Sequence, residues 1–222
     1  MKNKVTFADI KNSQEVSTYI KQADASLEAL GFTEHSFAHA TKCADVAGGL
    51  LQDLGYDEYH IELAKMAAYM HDIGNVINRA DHAQSGAIMT FRILDKMGMD
   101  ANDVATVITA IGNHDEATAF PVNAVAAATI IADKTDVRRS RVRNRETIYN
   151  DIHDRVNYAV ERSSLELDKE AKTLTLYLTI DTSICAVMDY FEIFLERMKL
   201  SRKAADFFDL KFQLNINGSV LL

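Results

Sequence analysis

The sequence predicts a mainly α-helical protein that ends in a small antiparallel β-sheet accompanied by one helix. Three observations carry this reading. Apolar residues recur at helical spacing over most of the first 160 residues. The 222-residue chain holds a single proline, Pro121, so little interrupts those helices. Towards the C-terminus the period drops to two, first around Leu174 and again around Leu210.

Taken in order, Val16, Tyr19, Ile20, Ala23, Leu27 and Leu30 form one helical stripe that stops at Gly31. A second helix, about 38–54, carries His39, Cys43, Val46, Ala47, Leu50 and Leu54, with Gly55 after it. Asp57 is the expected N-cap of a third helix, apolar on most of its circumference, which ends in His71-Asp72. Gly74 is its expected left-handed stop. A fourth helix, about 82–97, lines up His82, Gly86, Thr90, Ile93 and Met97 before Gly98. Asp100 caps a fifth, whose inward Val104, Val107 and Ile111 lead to His114. Pro121 is expected at the first position of a sixth, apolar from Val122 to Ile131 and polar from Asp133. After the basic run 138–145 comes a helix expected at 146–162. Next are a hairpin (164–168 with 174–180), an amphipathic helix at about 183–199, and a last strand from Leu210 to Ile216. The expected organisation is a helical domain over 1–162 and a small α+β appendage over 163–222, packed on the helical body.

A balance of 48% hydrophobic and 25% charged residues is that of a globular protein, not of a disordered or membrane-spanning one. The net charge of −8 argues against broad binding to nucleic acid or anionic membrane, and leaves room for a small anionic ligand in a local positive pocket. Cys43 and Cys185 sit in apolar helical patterns and read as buried thiols, which fits a reducing compartment. Met1 to Ile10 has no apolar run and no stretch is long enough to cross a membrane, so the expected location is cytoplasmic. The exposed edges of the C-terminal sheet allow a homodimer.

Chemistry concentrates on six residues. His39, His82 and His114 lie on the apolar stripes of three helices; His71-Asp72 ends a buried fourth, and Asp133 stands where a fifth turns polar. A single inward histidine is usually a satisfied core residue. Six polar groups aimed into one helical core are costly unless something common satisfies them. A divalent transition metal does so, since imidazole and carboxylate suit Fe, Mn, Zn, Ni or Co. One ion needs about four ligands, so the count of six favours two ions over one. His35, His60 and His153 read as surface or ordinary core residues.

These residues resemble the HD-domain phosphohydrolase superfamily, whose pattern is a histidine, a His-Asp pair and a distant aspartate, here His39, His71-Asp72 and Asp133. Ala67-Ala68-Tyr69-Met70-His71-Asp72-Ile73-Gly74 is similar to its second motif. His82-Ala83-Gln84-Ser85-Gly86-Ala87 and Asn113-His114-Asp115-Glu116 resemble the extra histidine motifs of binuclear members. Ala132-Asp133-Lys134-Thr135-Asp136, followed by Arg141 and Arg143, resembles the closing motif of the HD-GYP branch, although Asn75 stands where that branch has lysine. The ligand pattern is also similar to small HD proteins that hydrolyse dinucleoside polyphosphates. The similarity covers about 35–145 and not the C-terminal sheet.

The resemblance implies a metal-dependent phosphohydrolase that cleaves an ester or anhydride of a nucleotide-type small molecule through a metal-bound hydroxide. It places His39, His71 and Asp133 on one ion, His82 and His114 on a second, and Asp72 between them as a catalytic bridge. Asp136 is the second catalytic candidate, holding a ligand or water, and Arg138, Arg141 and Arg143 are candidates for binding substrate phosphate. The alternative is a non-catalytic signalling or scaffold domain that keeps its metal for stability.

Overall fold

The computed structural model describes residues 5–144, 146 and 148–221. They form two compact units, Met1–Asp133 and Lys134–Leu222, a division that falls earlier in the chain than the change of period at about 163.

The first unit is helical. Thr6 and Asp9 form a reciprocal cap on α1 (Phe7–Asn12), and Ser13 caps α2 (Gln14–Ala29), which buries Val16, Ile20, Ala23 and Leu27. Leu30 falls outside that face, 63% exposed at the helix end. α3 (Phe37–Asp53) turns His39, Cys43, Ala44, Ala47 and Leu51 inward against α4 (Glu58–Met70), whose Asp57 cap accepts from the His60 amide. α5 (His82–Lys96) packs on α6 (Ala101–Gly112), capped by Asp100. In α7 (Ala124–Lys134) every side chain from Val125 to Ala132 is buried.

Two expectations about punctuation are corrected. Pro121 precedes α7 by three residues, and Asn123 caps the helix by accepting from the Ala126 amide at 2.8 Å. Gly74 is not a left-handed stop: α4 ends at Met70, and Gly74 lies in a 3-10 turn, Ile73–Val76. It is glycine because backbone comes too close for a side chain. A Cβ there would meet the His82 carbonyl oxygen at 2.0 Å and the Gly86 amide nitrogen at 2.5 Å. This close approach lets the start of α5 dock on the turn that follows His71-Asp72.

The second unit holds a four-stranded sheet in the order β1-β2-β3-β4. The helix expected at 146–162 shrinks to α8 (Ile152–Ala159), because the chain becomes extended at Val160 and pairs with Ile180; Thr147, like Arg145, lies outside the described residues. β1 (Val160–Asp168) and β2 (Thr173–Ile180) form the expected hairpin, with Asp168 opposite Thr173. The sheet is mixed, not purely antiparallel. α9 (Val187–Asp206) carries the chain back along its own length, so β3 (Lys211–Ile216) re-enters parallel to β2. Leu174, Leu176, Leu178 and Ile180 of β2, with Phe212, Leu214 and Ile216 of β3, form the buried face. An unanticipated β4 (Ser219–Val220) follows Asn217-Gly218, both at positive φ, the signature of a type I′ hairpin.

Candidate metal centre

Five helices and the turns that end them bring the six polar residues together, all within the first unit. His39 projects from the first turns of α3, His71 and Asp72 follow α4, His82 opens α5, His114 lies just past α6, and Asp133 sits near the end of α7. The four histidines are at most 3% exposed, and Asp133 is buried as well.

Asp72 divides the cluster in two. Its Oδ2 faces His71 Nε2 at 3.1 Å and His39 Nε2 at 3.7 Å. Its Oδ1 faces His82 Nε2 at 3.4 Å and His114 Nε2 at 3.9 Å. On the first side, Asp133 Oδ1 lies 3.5 Å from His39 and 3.6 Å from His71, whose Nε2 atoms are 3.3 Å apart. On the second, the Nε2 atoms of His82 and His114 are 3.1 Å apart, and Asp115 Oδ1 lies 3.9 Å from His82.

The ring orientations decide what these contacts mean. The Nδ1–H groups of His71, His82 and His114 donate to the carbonyl oxygens of Ala68 (2.8 Å), Arg79 (3.0 Å) and Ile111 (2.6 Å). A carbonyl only accepts, so each Nδ1 carries a proton, and each ring in its neutral form turns its Nε2 lone pair into the cluster. Lone pairs at such distances repel unless a cation lies between them. Bonds of about 2.0–2.1 Å to a tetrahedral ion place neighbouring donors roughly 3.3–3.4 Å apart, close to the spacings here. The donor set therefore fits a divalent transition metal, and the carbonyl contacts are the orienting partners that such histidines need.

Electrostatics agree. Burial disfavours a charged His71, but Asp72 and Asp133 outweigh it and push its pKa up to about 10. Burial equally opposes ionisation of Asp72, yet His71 beside it holds the carboxyl well below its ordinary range. Burial depresses His82. The cluster thus attracts one positive charge in the metal-free protein, and a divalent ion bound there would replace that proton.

Four neighbours of the cluster were not singled out as site residues from the sequence. Cys43, one turn after His39, brings its Sγ within 3.6 Å of both ring nitrogens and groups with His39, His71 and Asp133 as a set able to hold a metal. Its place on the His39 stripe was the available signal. Asn75 donates from Nδ2 to Asp72 Oδ1 at 2.8 Å and to the Asp72 carbonyl at 2.9 Å, which sets the carboxylate's rotation. Asp115 follows His114 directly. His35, read as a surface or core residue, packs edge-on against His39 with 5.4 Å between centroids. His60 and His153 pair with Asp57 and Asp151 on exposed helix caps.

The remaining candidates lie in the second unit. The buried Asp136 carboxylate accepts from Arg138 Nε at 3.0 Å, and Arg141, itself buried, donates to the Asp136 carbonyl at 2.9 Å. Arg143 is half-buried, and its charge reaches Asp154.

A helical unit whose buried histidines and aspartates converge from separate helices defines a metal-site class of protein. Residues 34–193 match the family described as HD domain, and the chain belongs to that family, a superfamily of metal-dependent phosphohydrolases. The match runs beyond residue 145, where the motif resemblance stopped, through β1 and β2 and into α9. Ribonuclease Y of Rubrobacter xylanophilus is 26% identical over 197 residues, 83% of this chain; the chain spans only 34% of that protein's length. The uncharacterized protein MJ1020 of Methanocaldococcus jannaschii is 25% identical over 223 residues, covering 89% of this chain and 84% of that one. A predicted HD superfamily hydrolase from an uncultured Thermotogales bacterium, known from its crystal structure, aligns at a TM-score of 0.46 with 25% identity over 56% of this chain and 68% of its own. No described helix is long and apolar enough to cross a membrane.

Proposed function

We propose that this chain is a phosphohydrolase that uses one or two divalent metal ions to cleave a phosphate ester or anhydride of a nucleotide-type substrate. The observation that carries the reading is the split of Asp72: one carboxylate oxygen towards His39 and His71, the other towards His82 and His114. A carboxylate so placed would serve two ions, and His39, His71 and Asp133 would hold one while His82 and His114 would hold the other. Asp115 and Cys43 stand next to each half as further donors. Bound metal supplies Lewis acidity to phosphorus and to water. The chain itself supplies orientation. Asn75 keeps Asp72 from rotating, and the carbonyls of Ala68, Arg79 and Ile111 hold three imidazoles in the binding tautomer. The name of ribonuclease Y supports a phosphodiester between nucleotides as one substrate type, while the charge of −8 favours a small nucleotide over a long polyanion.

The test is elemental analysis of protein purified anaerobically without chelator, followed by a panel of mononucleotides, dinucleoside polyphosphates and dinucleotides with Mn²⁺ or Fe²⁺. Two equivalents of metal with turnover on the panel support the binuclear reading. One equivalent with turnover makes His82 and His114 substrate-facing. Metal without turnover on any member favours the scaffold, and full turnover by metal-free protein overturns the mechanism.

A further inference from the structure

At the rim of the second half stands Arg79. Its Nη1 lies 3.3 Å from His82 Nε2 and 3.3 Å from the Asn75 side-chain oxygen, and its guanidinium carbon lies 5.6 Å from the centroid of the half-exposed Phe32 ring. The loop is shaped to hold it there. Asn78 accepts from the Ala80 amide at 2.9 Å, Asp81 takes a left-handed φ of 55°, and the Arg79 carbonyl is tied to His82 Nδ1. A non-glycine residue in that region is uncommon, so the bend is held by its surroundings.

What holds the guanidinium is neutral. Its contacts are an amide oxygen, an imidazole and an aromatic face, and no carboxylate among the described residues lies within ion-pair distance of it. Arg138 and Arg141, by contrast, are already engaged by Asp136. A half-buried guanidinium without an anion, beside a cluster that fits metal, has its charge and most of its five N–H donors available to an acceptor. A metal held by His82 Nε2 would take the lone pair that now accepts from Arg79, and would leave that N–H to another acceptor. Asn75 then couples the two events, since one amide touches both Asp72 and Arg79.

We propose that Arg79 binds the substrate's phosphoryl oxygens at the rim of the metal centre, with Asn75 and Phe32 holding the guanidinium in place. This rests on the phosphohydrolase reading. The test uses the full chain loaded with Mn²⁺ and inorganic phosphate as the probe. Calorimetry gives the phosphate Kd of the wild type, Arg79→Gln and Arg79→Lys, and elemental analysis gives the metal content of each. The expected result is at least a tenfold weaker Kd in Arg79→Gln at unchanged metal content. Arg79→Lys should recover part of the loss, because a point charge replaces a fork. A Kd within twofold of wild type in Arg79→Gln overturns the assignment. Loss of metal in both variants overturns it too, and makes Arg79 a support for His82. If loaded wild-type protein binds no phosphate at all, the Arg79 assignment falls, while turnover on the nucleotide panel decides the phosphohydrolase reading separately.

Discussion

The two halves of the cluster are built differently. His39 and Asp133 of the first half sit inside helices, and Cys43, also within α3, lies against them in the buried core. In the second half His82 is the first residue of α5 and His114 follows the last of α6. Their neighbours Arg79 and Asp115 are loop residues, and both keep some exposure. Helix and core packing surround most donors of the inner half, although His71 comes just past the end of α4. The outer half is assembled from helix ends, where backbone carbonyls are free to orient imidazoles; His82 and His114 stay buried, and only their rim neighbours keep exposure.

Breaking Asp72 should have the largest effect, since it serves both halves. Asp72→Ala is expected to lose all metal and all turnover, read by elemental analysis and phosphate release. The comparison sharpens with single histidines. His39→Ala should empty the inner half and His82→Ala the outer, each leaving one equivalent of metal in place; loss of all metal from either variant would mean the halves do not act separately. Asn75→Ala, which only frees Asp72 to rotate, should weaken metal binding by about tenfold.

The next effect is on stability. Gly74→Ala puts a Cβ into the His82 backbone and should cost about 3 kcal/mol in chemical denaturation, with His82 displaced from Asp72. Retention of full stability would mean that the turn yields freely. A smaller effect concerns Tyr59 of α4, which donates to Asp103 of α6 at 2.5 Å. That hydrogen bond, with burial and the nearby acids, pushes the Tyr59 pKa up to about 12. The folded state therefore holds the phenol proton more tightly than the unfolded chain, whose tyrosine ionises near 10. The contribution is complete below pH 10 and is lost as pH rises towards 12. Tyr59→Phe should lower stability by about 1 kcal/mol at neutral pH and flatten the alkaline fall.

Much of this was legible in the sequence. The helical stripes and the switch to alternation were visible because burial acts on every third or fourth residue in a helix and every second in a strand. The six clustered residues were visible for the same reason: each polar group interrupts an otherwise apolar face. Cys43 was less legible, since a thiol on an apolar stripe looks like packing. Asn217-Gly218 did carry a hairpin signal, and it points to β4.

What the sequence determined by itself is the inventory: which helices form, where most of them stop, and which polar side chains turn inward. Those are local properties, set by periodicity, caps and the cost of burying a polar group. Tertiary structure decided the rest. That Asp72 faces His39 on one side and His114 on the other, that Gly74 is small because α5 docks on it, that α9 makes β3 parallel to β2, and that Arg79 lies over the Phe32 ring all depend on separate elements being brought together. Periodicity along one helix says which face is buried, but only packing says what that face meets.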